Sequence, residues 1–221
     1  MSTSLIYRSA HVYELLMRGL YGRHYAARMR TVAEQVPPGA SVLELCCGPG
    51  TLYRRYLRPR VDGYIGLDIN PGFVARLRRD GIDARRFDLA QDGRPLPAAD
   101  VVIIQASLYH FLPDAAALID RMLAAARRLV VVSEPIRNLS SSGLPLIGRL
   151  GRRAADPGVG GHQQRFDEPA LDALMSRYRD RTLSALSIPG AREKIYVLAP
   201  ATAGRAGPTP PDDRSGTAAG P

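Results

Sequence analysis

The sequence contains only two cysteines, Cys46 and Cys47, and they are neighbours in the chain. An ordinary disulfide is strained between adjacent residues, so we predict that these thiols do not form a bridge. Two thiols are also too few for a structural zinc site, and we predict no metal site. A chain without disulfides is typical of reducing compartments, which leads us to predict a cytoplasmic protein.

Long apolar runs are missing as well. The most apolar stretches, VVII at 101–104 and LVVV at 129–132, have the length of a strand, whereas a membrane-spanning helix needs about 20 such residues. Residues 1–16 have no basic region followed by an apolar one, so they do not look like a secretory signal. The sequence therefore predicts neither a membrane span nor a membrane partner.

Lysine is nearly absent, because Lys194 is the only one among 30 basic residues, while the formal net charge is +9. Such a charge can favour a nucleic-acid partner. The arginines are dispersed, however, and no basic groove interleaved with aromatic residues is evident in the sequence. We therefore expect solvated helix faces and no nucleic-acid partner, with nucleic-acid binding left open as the alternative.

Composition divides the 221 residues into three parts. Residues 201–221 consist mainly of Ala, Gly, Pro and Thr, cannot bury apolar surface, and are predicted to form a disordered tail. Residues 1–36 show apolar residues at helical spacing, with breaks at Gly19 and Gly22, and are predicted to be helical. Residues 37–200 are long enough for one globular domain.

Strand and helix patterns alternate within residues 37–200. This alternation predicts an α/β fold, in which a mostly parallel sheet carries helices on both faces. Ligands of such sheets bind beyond the carboxyl ends of the strands, where the strand order reverses. The predicted strands are 41–46, 64–69, 84–89, 99–106, 128–134, 182–188 and 193–199. The predicted helices are 51–58, 71–81, 113–127 and 168–180, the last with Asp167 as its N-cap.

A glycine-containing turn, CCGPG at 46–50, lies between the first predicted strand and a helix. Glycine has no Cβ, so a ligand can approach the backbone of such a turn closely. Nicotinamide-binding folds need G-x-G-x-x-G here. The sequence has Cys46, Gly48 and Thr51 at those three positions, which disfavours a dehydrogenase.

A different family fits better, since VLELCCGPG resembles motif I of the class I S-adenosylmethionine-dependent methyltransferases. In that motif an acid is followed by alternating glycines. Glu44 stands at the acid position, Gly48 and Gly50 at the later glycines, and Cys46 replaces the first glycine. GLDIN at 66–70 resembles the end of the family's second strand, where the resemblance implies that Asp68 binds the ribose hydroxyls of the cofactor and that Ile69 lies beside it.

The resemblance continues at FDLAQD, 87–92, and at the fourth predicted strand. It implies that Asp88 accepts a hydrogen bond from the adenine amino group, that the Leu89 backbone lies near the ring, and that the Gln105 carbonyl faces the methionine amino group. The matching region is about residues 35–135, with a looser fit to 200. The resemblance further implies a Rossmann-like seven-stranded sheet with an antiparallel last strand, and an N-terminal helical lid, residues 1–36, on which Tyr21 and Tyr25 face the pocket or pack on the sheet.

Methyl transfer is an in-line displacement, which depends mainly on placing the acceptor behind the methyl group in a dry site. A base is needed only for an acceptor whose proton has a high pKa. His110 is our first candidate for a base or substrate contact, with a structural role as the alternative. Tyr109 follows the same strand, and Glu134 is either a substrate ligand or a helix N-cap. Asn138 and His162 are further polar candidates.

The substrate class is narrowed by a missing signature. Methyltransferases that modify amino groups of nucleic acids carry an Asn/Asp-Pro-Pro-aromatic motif, whereas this sequence has QASL at 105–108. We therefore predict a small, partly apolar metabolite as the acceptor. A nucleic-acid methyltransferase and a cofactor-binding homologue without activity remain the alternatives. We also expect a negative φ angle at Cys46, because its Cβ must be accommodated, and we expect Cys47 to pack as a small apolar residue.

Overall fold

A computed structural model describes residues 24–136, 165–188 and 193–200, and the predictions for residues 1–23 and 201–221 lie outside this part. Within it, seven strands form one sheet in the order β3-β2-β1-β4-β5-β7-β6. The pairs among β1 to β5 are parallel, and β7 runs antiparallel to both of its neighbours. The predicted fold class is confirmed. The strands are β1 (Ser41–Leu45), β2 (Gly63–Asp68), β3 (Ala84–Arg86), β4 (Ala99–Gln105), β5 (Ala126–Pro135), β6 (Thr182–Ser187) and β7 (Glu193–Leu198).

Four α-helices lie in the described part of the chain: α1 (His24–Glu34), α2 (Pro71–Arg79), α3 (Ala115–Ala125) and α4 (Glu168–Met175). Tyr53–Leu57 forms a π-helix, and Leu108–Phe111 and Ser176–Arg181 form 3₁₀-helices. Asp167 caps α4 as predicted, because its side chain accepts a hydrogen bond from the Ala170 N–H. In the ranges that the structure describes, no helix is long and apolar enough to cross a membrane.

The strands bury apolar side chains on both faces of the sheet, as period-2 alternation requires. One face carries Val42, Ile103 and Val131, which cluster with Val32 of α1. The other face carries Leu43, Val102 and Val130, which cluster with Ile119 of α3 and Leu171 of α4. Helices therefore cover both faces, and we refer below to the α1 face and the α3 face.

Several predicted elements differ from the structure: the helix predicted over 168–180 is α-helical only to Met175, the helix predicted over 113–127 ends at Ala125, and two further differences lie near the carboxyl edge of the sheet. The third strand ends at Arg86 and not at residue 89, because the Asp88 carboxylate accepts hydrogen bonds from the Ala90 and Gln91 N–H groups and turns the chain. The helix predicted over 51–58 is π-helical for most of its length, with the Arg58 N–H bonded to the Tyr53 carbonyl. Such single π turns often lie near functional sites.

The strand order reverses between β1 and β4. The chain moves outward from β1 to β2 and β3, and then returns to place β4 on the other side of β1. Loops that leave the carboxyl ends of β1 and β4 therefore diverge and open a crevice. Each of the two strands is followed directly by a residue with left-handed backbone, Cys46 after β1 and Ala106 after β4, both with a φ of +53°.

Candidate functional site

A pocket lies at this crevice, between the carboxyl ends of β1 and β4 and helix α1. The structure brings together in its wall four of the predicted cofactor-binding residues: Glu44, Cys46, Gly48 and Gln105. Tyr25 also lines it, while Tyr21 lies outside the described residues. The remaining lining residues are Arg28, Met29, Cys47, Pro49, Thr51, Leu52, Ala106 and Ser107.

The two glycines of the turn after β1 are required for different reasons. Gly48 has a φ of +55°, so glycine is required there by the backbone conformation. A Cβ built at Gly48 would meet nothing within 4 Å, so open space lies beside this part of the backbone. Gly50 has a φ of +73°, and a Cβ there would lie 2.6 Å from Cδ2 of Leu77. Gly50 therefore lets the turn pack on α2, whereas Gly48 faces the space a ligand would need.

The expectation of a negative φ at Cys46 is wrong, because the structure gives +53°. The backbone at Cys46 is left-handed, although a Cβ is present. The thiol is half-buried and hydrogen-bonds with Ser107, and burial raises its pKa well above the ordinary value. Cys47 is buried against Val74 and Leu77, as expected of a small apolar residue. Both cysteines are unbridged.

Glu44 is a buried acid in the pocket wall. The Tyr64 hydroxyl donates a hydrogen bond of 2.7 Å to its Oε2 atom. Burial raises the pKa of Glu44 to about 8, an effect that the Tyr64 bond only partly opposes. A cation bound in the pocket would lower this pKa, because it favours the charged carboxylate.

Asp68 connects the glycine turn to the start of α2. Its Oδ2 accepts from the Gly48 N–H at 2.7 Å, and its Oδ1 accepts from the Asn70 N–H at 2.8 Å. Burial raises the pKa of Asp68, and these two backbone bonds oppose the shift. Each carboxylate oxygen has two acceptor sites, so one remains on each oxygen for a ligand. Asp68 and the half-buried Ile69 lie behind the turn and not in the wall of the pocket.

The loop after β3 carries Asp88 and Leu89, and neither side chain lines the pocket. The Asp88 carboxylate is directed at its own turn, as described above. The loop is held from α3, because Arg121 donates to the carbonyls of Leu89 at 2.7 Å, Asp92 at 2.8 Å and Arg94 at 3.2 Å. Its position is thus fixed by one side chain that sequence reasoning did not single out.

Tyr109 and His110 follow β4, and Glu134 lies near the end of β5; none of these three candidate catalytic residues lines the pocket. Tyr109 is buried, with the His110 ring centroid 4.0 Å from its own and the Arg165 guanidinium 4.1 Å above it. Glu134 is buried, and its Oε2 accepts at 3.0 Å from the N–H of Leu108, the first residue of a 3₁₀-helix whose N-cap residue is Ser107. Burial raises the pKa of Glu134 to about 8. Asn138 and His162 lie outside the described residues.

Sequence reasoning missed a buried group of polar residues beside the pocket. Arg28, Ser133 and Glu193 are each at most 3 % exposed. The Arg28 Nε donates to Glu193 Oε2 at 2.5 Å, and the Ser133 hydroxyl donates to Oε1. One available signal was the position of Glu193, which precedes Ile195 and Val197 at period 2 on a strand face that is otherwise apolar.

A family model described as a methyltransferase domain matches residues 17–178, which is most of the chain. The chain therefore belongs to the methyltransferase-domain family, and the prediction of a methyltransferase is confirmed at that level. A curated relative, trans-aconitate 2-methyltransferase of Mycolicibacterium gilvum (strain PYR-GCK), is 36% identical over 95 residues. That match spans 42% of this chain and only 35% of the relative.

Solved structures show the same fold. Magnesium protoporphyrin IX methyltransferase from Synechocystis PCC 6803 with bound S-adenosylhomocysteine matches with a TM-score of 0.56 and 20% identity, over 88% of this chain and 96% of that one. A S-adenosylmethionine-dependent methyltransferase of Thermotoga maritima matches with a TM-score of 0.61 and 12% identity, over 88% and 97% of the two chains. The fold is that of the class I S-adenosylmethionine-dependent methyltransferases.

Proposed function

We propose that this chain binds S-adenosylmethionine at the crevice between β1 and β4 and methylates a small, partly apolar metabolite. One observation carries the proposal: the Asp68 carboxylate accepts from the Gly48 N–H and so holds the glycine turn, which lines a pocket together with Glu44 and Gln105. The order strand, turn, acid is the arrangement by which such folds hold a ribose at the switch point. When bound, the cofactor would supply an electrophilic methyl group.

The charges of the site fit the parts of that cofactor. A ribose diol needs a carboxylate with acceptor sites to spare, and Asp68 has them. A sulfonium is a cation that favours nearby acids, and Glu44 is an acid in the pocket wall. An α-carboxylate favours a cation, and Arg28 has the only positive side chain among the described lining residues.

We assign the adenine of the cofactor to the loop after β3. Asp88 and the Leu89 backbone are our candidates for that contact, supported by the rigid attachment of the loop to Arg121. The Gln105 carbonyl is our candidate for the methionine amino group. It already accepts from the Ser107 hydroxyl at 3.1 Å, and a carbonyl oxygen has a second acceptor site.

The acceptor site is proposed at the 3₁₀-helix Leu108–Phe111. His110 is half-buried there beside the Tyr109 ring and is the candidate base or substrate contact, while Glu134 orients this helix through the Leu108 N–H. The neighbourhood is partly apolar, since Phe111 and Leu112 pack at the edge of the core. Residues 1–36 are proposed as the lid, supported by Tyr25 and Arg28 of α1 in the pocket wall. The two unbridged cysteines support a cytoplasmic location.

Arg165 favours a second candidate within this class, an acceptor that carries a carboxylate. Its guanidinium lies on the Tyr109 ring, where a stacked arginine can pair with an anionic substrate. The similarity to trans-aconitate 2-methyltransferase is consistent with such an acceptor. A transfer assay with labelled S-adenosylmethionine should therefore include di- and tricarboxylates beside neutral apolar metabolites. The same assay should also include RNA and DNA as acceptors at low salt concentration, because proteins bind nucleic acids most strongly at low salt.

Calorimetric titration of the full chain with S-adenosylmethionine and S-adenosylhomocysteine tests the proposal. We expect binding of both with a Kd on the order of micromolar or below. Asp68→Asn should weaken both by about 10-fold or more, since it removes a charge-assisted acceptor. Asp100→Asn is the matched control, because Asp100 accepts from the Ser41 N–H and hydroxyl at the opposite end of the sheet. If the wild-type chain binds neither ligand, the proposal is wrong.

A further inference from the structure

Glu193 is a buried acid to which the proposed function gives no role. It begins β7 beside Pro135, while Gln105 pairs with Ser133 on the two neighbouring strands. Gln105, Ser133 and Glu193 lie two positions along their strands from Ile103, Val131 and Ile195, so their side chains share the α1 face with those residues. Three strands therefore direct polar side chains beneath α1 at the carboxyl edge of the sheet.

The Glu193 carboxylate ties α1 to two strands. Its Oε2 accepts from Arg28 Nε at 2.5 Å, and its Oε1 accepts from Gln105 Nε2 at 3.2 Å and from the Ser133 hydroxyl. Arg28 is 3 % exposed and Glu193 2 % exposed, so this is a buried ion pair supported by further hydrogen bonds. Replacing a buried ion pair by apolar residues is often neutral or stabilising, whereas removing one partner leaves an uncompensated buried charge.

Two of the residues that Glu193 holds, Arg28 and Gln105, line the pocket, whereas Glu193 itself does not. We propose that Glu193 is a positioning residue, which sets the Arg28 guanidinium and the Gln105 side-chain amide in the pocket wall for the amino-acid end of the cofactor. The inference rests on the proposed function. It assigns to β7, which lies outside the motif region at 35–135, an effect on cofactor binding that acts through Arg28 and Gln105.

The charge of Glu193 matters as well as its shape. A buried guanidinium without a counter-ion would repel a sulfonium held in the same pocket. With Glu193 beside it, Arg28 has its charge balanced and keeps its orientation. Replacing Glu193 by glutamine preserves the size of the side chain and removes the negative charge.

The test compares two ligands on the full chain. S-adenosylhomocysteine has the amino-acid end, whereas 5′-methylthioadenosine keeps the adenine, ribose and thioether and lacks it. We expect Glu193→Gln to raise the Kd for S-adenosylhomocysteine about 10-fold or more, the effect of losing a charge-assisted bond. The Kd for 5′-methylthioadenosine should change less than about twofold, because its site excludes Arg28 and Gln105.

Two further variants separate positioning from folding. Asp172→Asn is the matched control on the other side of β7, where Asp172 accepts from Lys194 at 2.7 Å and from Tyr196 at 2.5 Å. It should lower the Tm and leave both Kd values unchanged. The double variant Arg28→Met with Glu193→Met replaces the buried ion pair by apolar side chains, so it should fold. It should not recover the affinity for S-adenosylhomocysteine that Glu193→Gln loses.

Several outcomes would overturn the inference. Glu193→Gln could leave both Kd values unchanged, or it could weaken both ligands equally, which is the behaviour of a damaged fold. Recovery of full S-adenosylhomocysteine affinity in the double methionine variant would also contradict it. A wild-type chain that binds neither ligand contradicts the proposed function instead, so the two failures are distinguishable.

Discussion

At the scale of the residue, Cys46 holds a backbone conformation that its side chain disfavours. A non-glycine residue in the left-handed region costs roughly 1–2 kcal/mol, and Cys46 has a φ of +53°. Ala106, at the end of the adjacent strand β4, has the same φ. Backbone strain of this kind concentrates at ligand sites, where the surrounding structure imposes it. Both residues line the pocket, which is consistent with that pattern.

Cys46→Gly should therefore stabilise the protein. The relief of strain exceeds the extra entropy that glycine adds to the unfolded chain, and we expect a gain of about 0.5–1 kcal/mol in the free energy of unfolding. Affinity for S-adenosylhomocysteine should be equal or higher. Urea denaturation and calorimetry measure the two quantities. Cys46→Ala keeps a Cβ without the thiol and should not stabilise; a large loss of affinity in both variants would give the thiol a role in binding.

Glu44 should make stability depend on pH. Its pKa is about 8 in the folded protein, against the usual 4.5. Because the folded pKa is raised, the favourable contribution is complete below 4.5 and is lost as the pH rises through 8. Glu44→Gln removes this contribution, so wild type should lose stability relative to the variant across that interval. Urea denaturation at several pH values measures it; a constant difference would contradict the burial of an ionisable group at this position.

At the scale of the element, the strands and loops of the motif region follow from the sequence. The apolar runs and the Gly-Pro-Gly turn predict β1, β2, β4 and their carboxyl ends, and the structure has them there. The Arg28–Glu193 pair could not be predicted, because its partners are 165 positions apart and join only through the fold. The negative φ predicted for Cys46 is wrong because that prediction rests only on the steric preference of a residue with a Cβ. The turn that the neighbouring glycines impose outweighs this preference.

Helix α3 fixes the loop after β3 through Arg121, whose guanidinium reaches three backbone carbonyls. Arg121→Met should free this loop and weaken the adenine contact. We expect about a 10-fold higher Kd for both S-adenosylhomocysteine and 5′-methylthioadenosine, since both contain adenine. Arg127→Met is the control, because the Arg127 side chain is 58% exposed and makes only an ion pair of 3.7 Å with Asp100 among the described residues. Unchanged affinity in Arg121→Met would show that the adenine contact does not depend on the hydrogen bonds between Arg121 and the loop.

At the scale of the whole molecule, the excess of arginine over acidic residues does not indicate where the site lies. Several arginines are paired at the surface, such as Arg54 with Asp80 and Arg85 with Asp83, and Arg121 is used inside the fold. The sequence predicted solvated arginines, and the described residues show many of them paired. The strand order, in contrast, decides where the pocket lies, because it separates the loops after β1 and β4.

The proposed binding of S-adenosylmethionine between these loops and α1 can be tested by a crystal structure of the full chain with S-adenosylhomocysteine. We expect the ribose at Asp68, the adenine at the Asp88–Leu89 loop, and the amino-acid end beside Arg28 and Gln105. Ligand density at any other surface, or an adenosyl group placed without contact to Asp68, would contradict it.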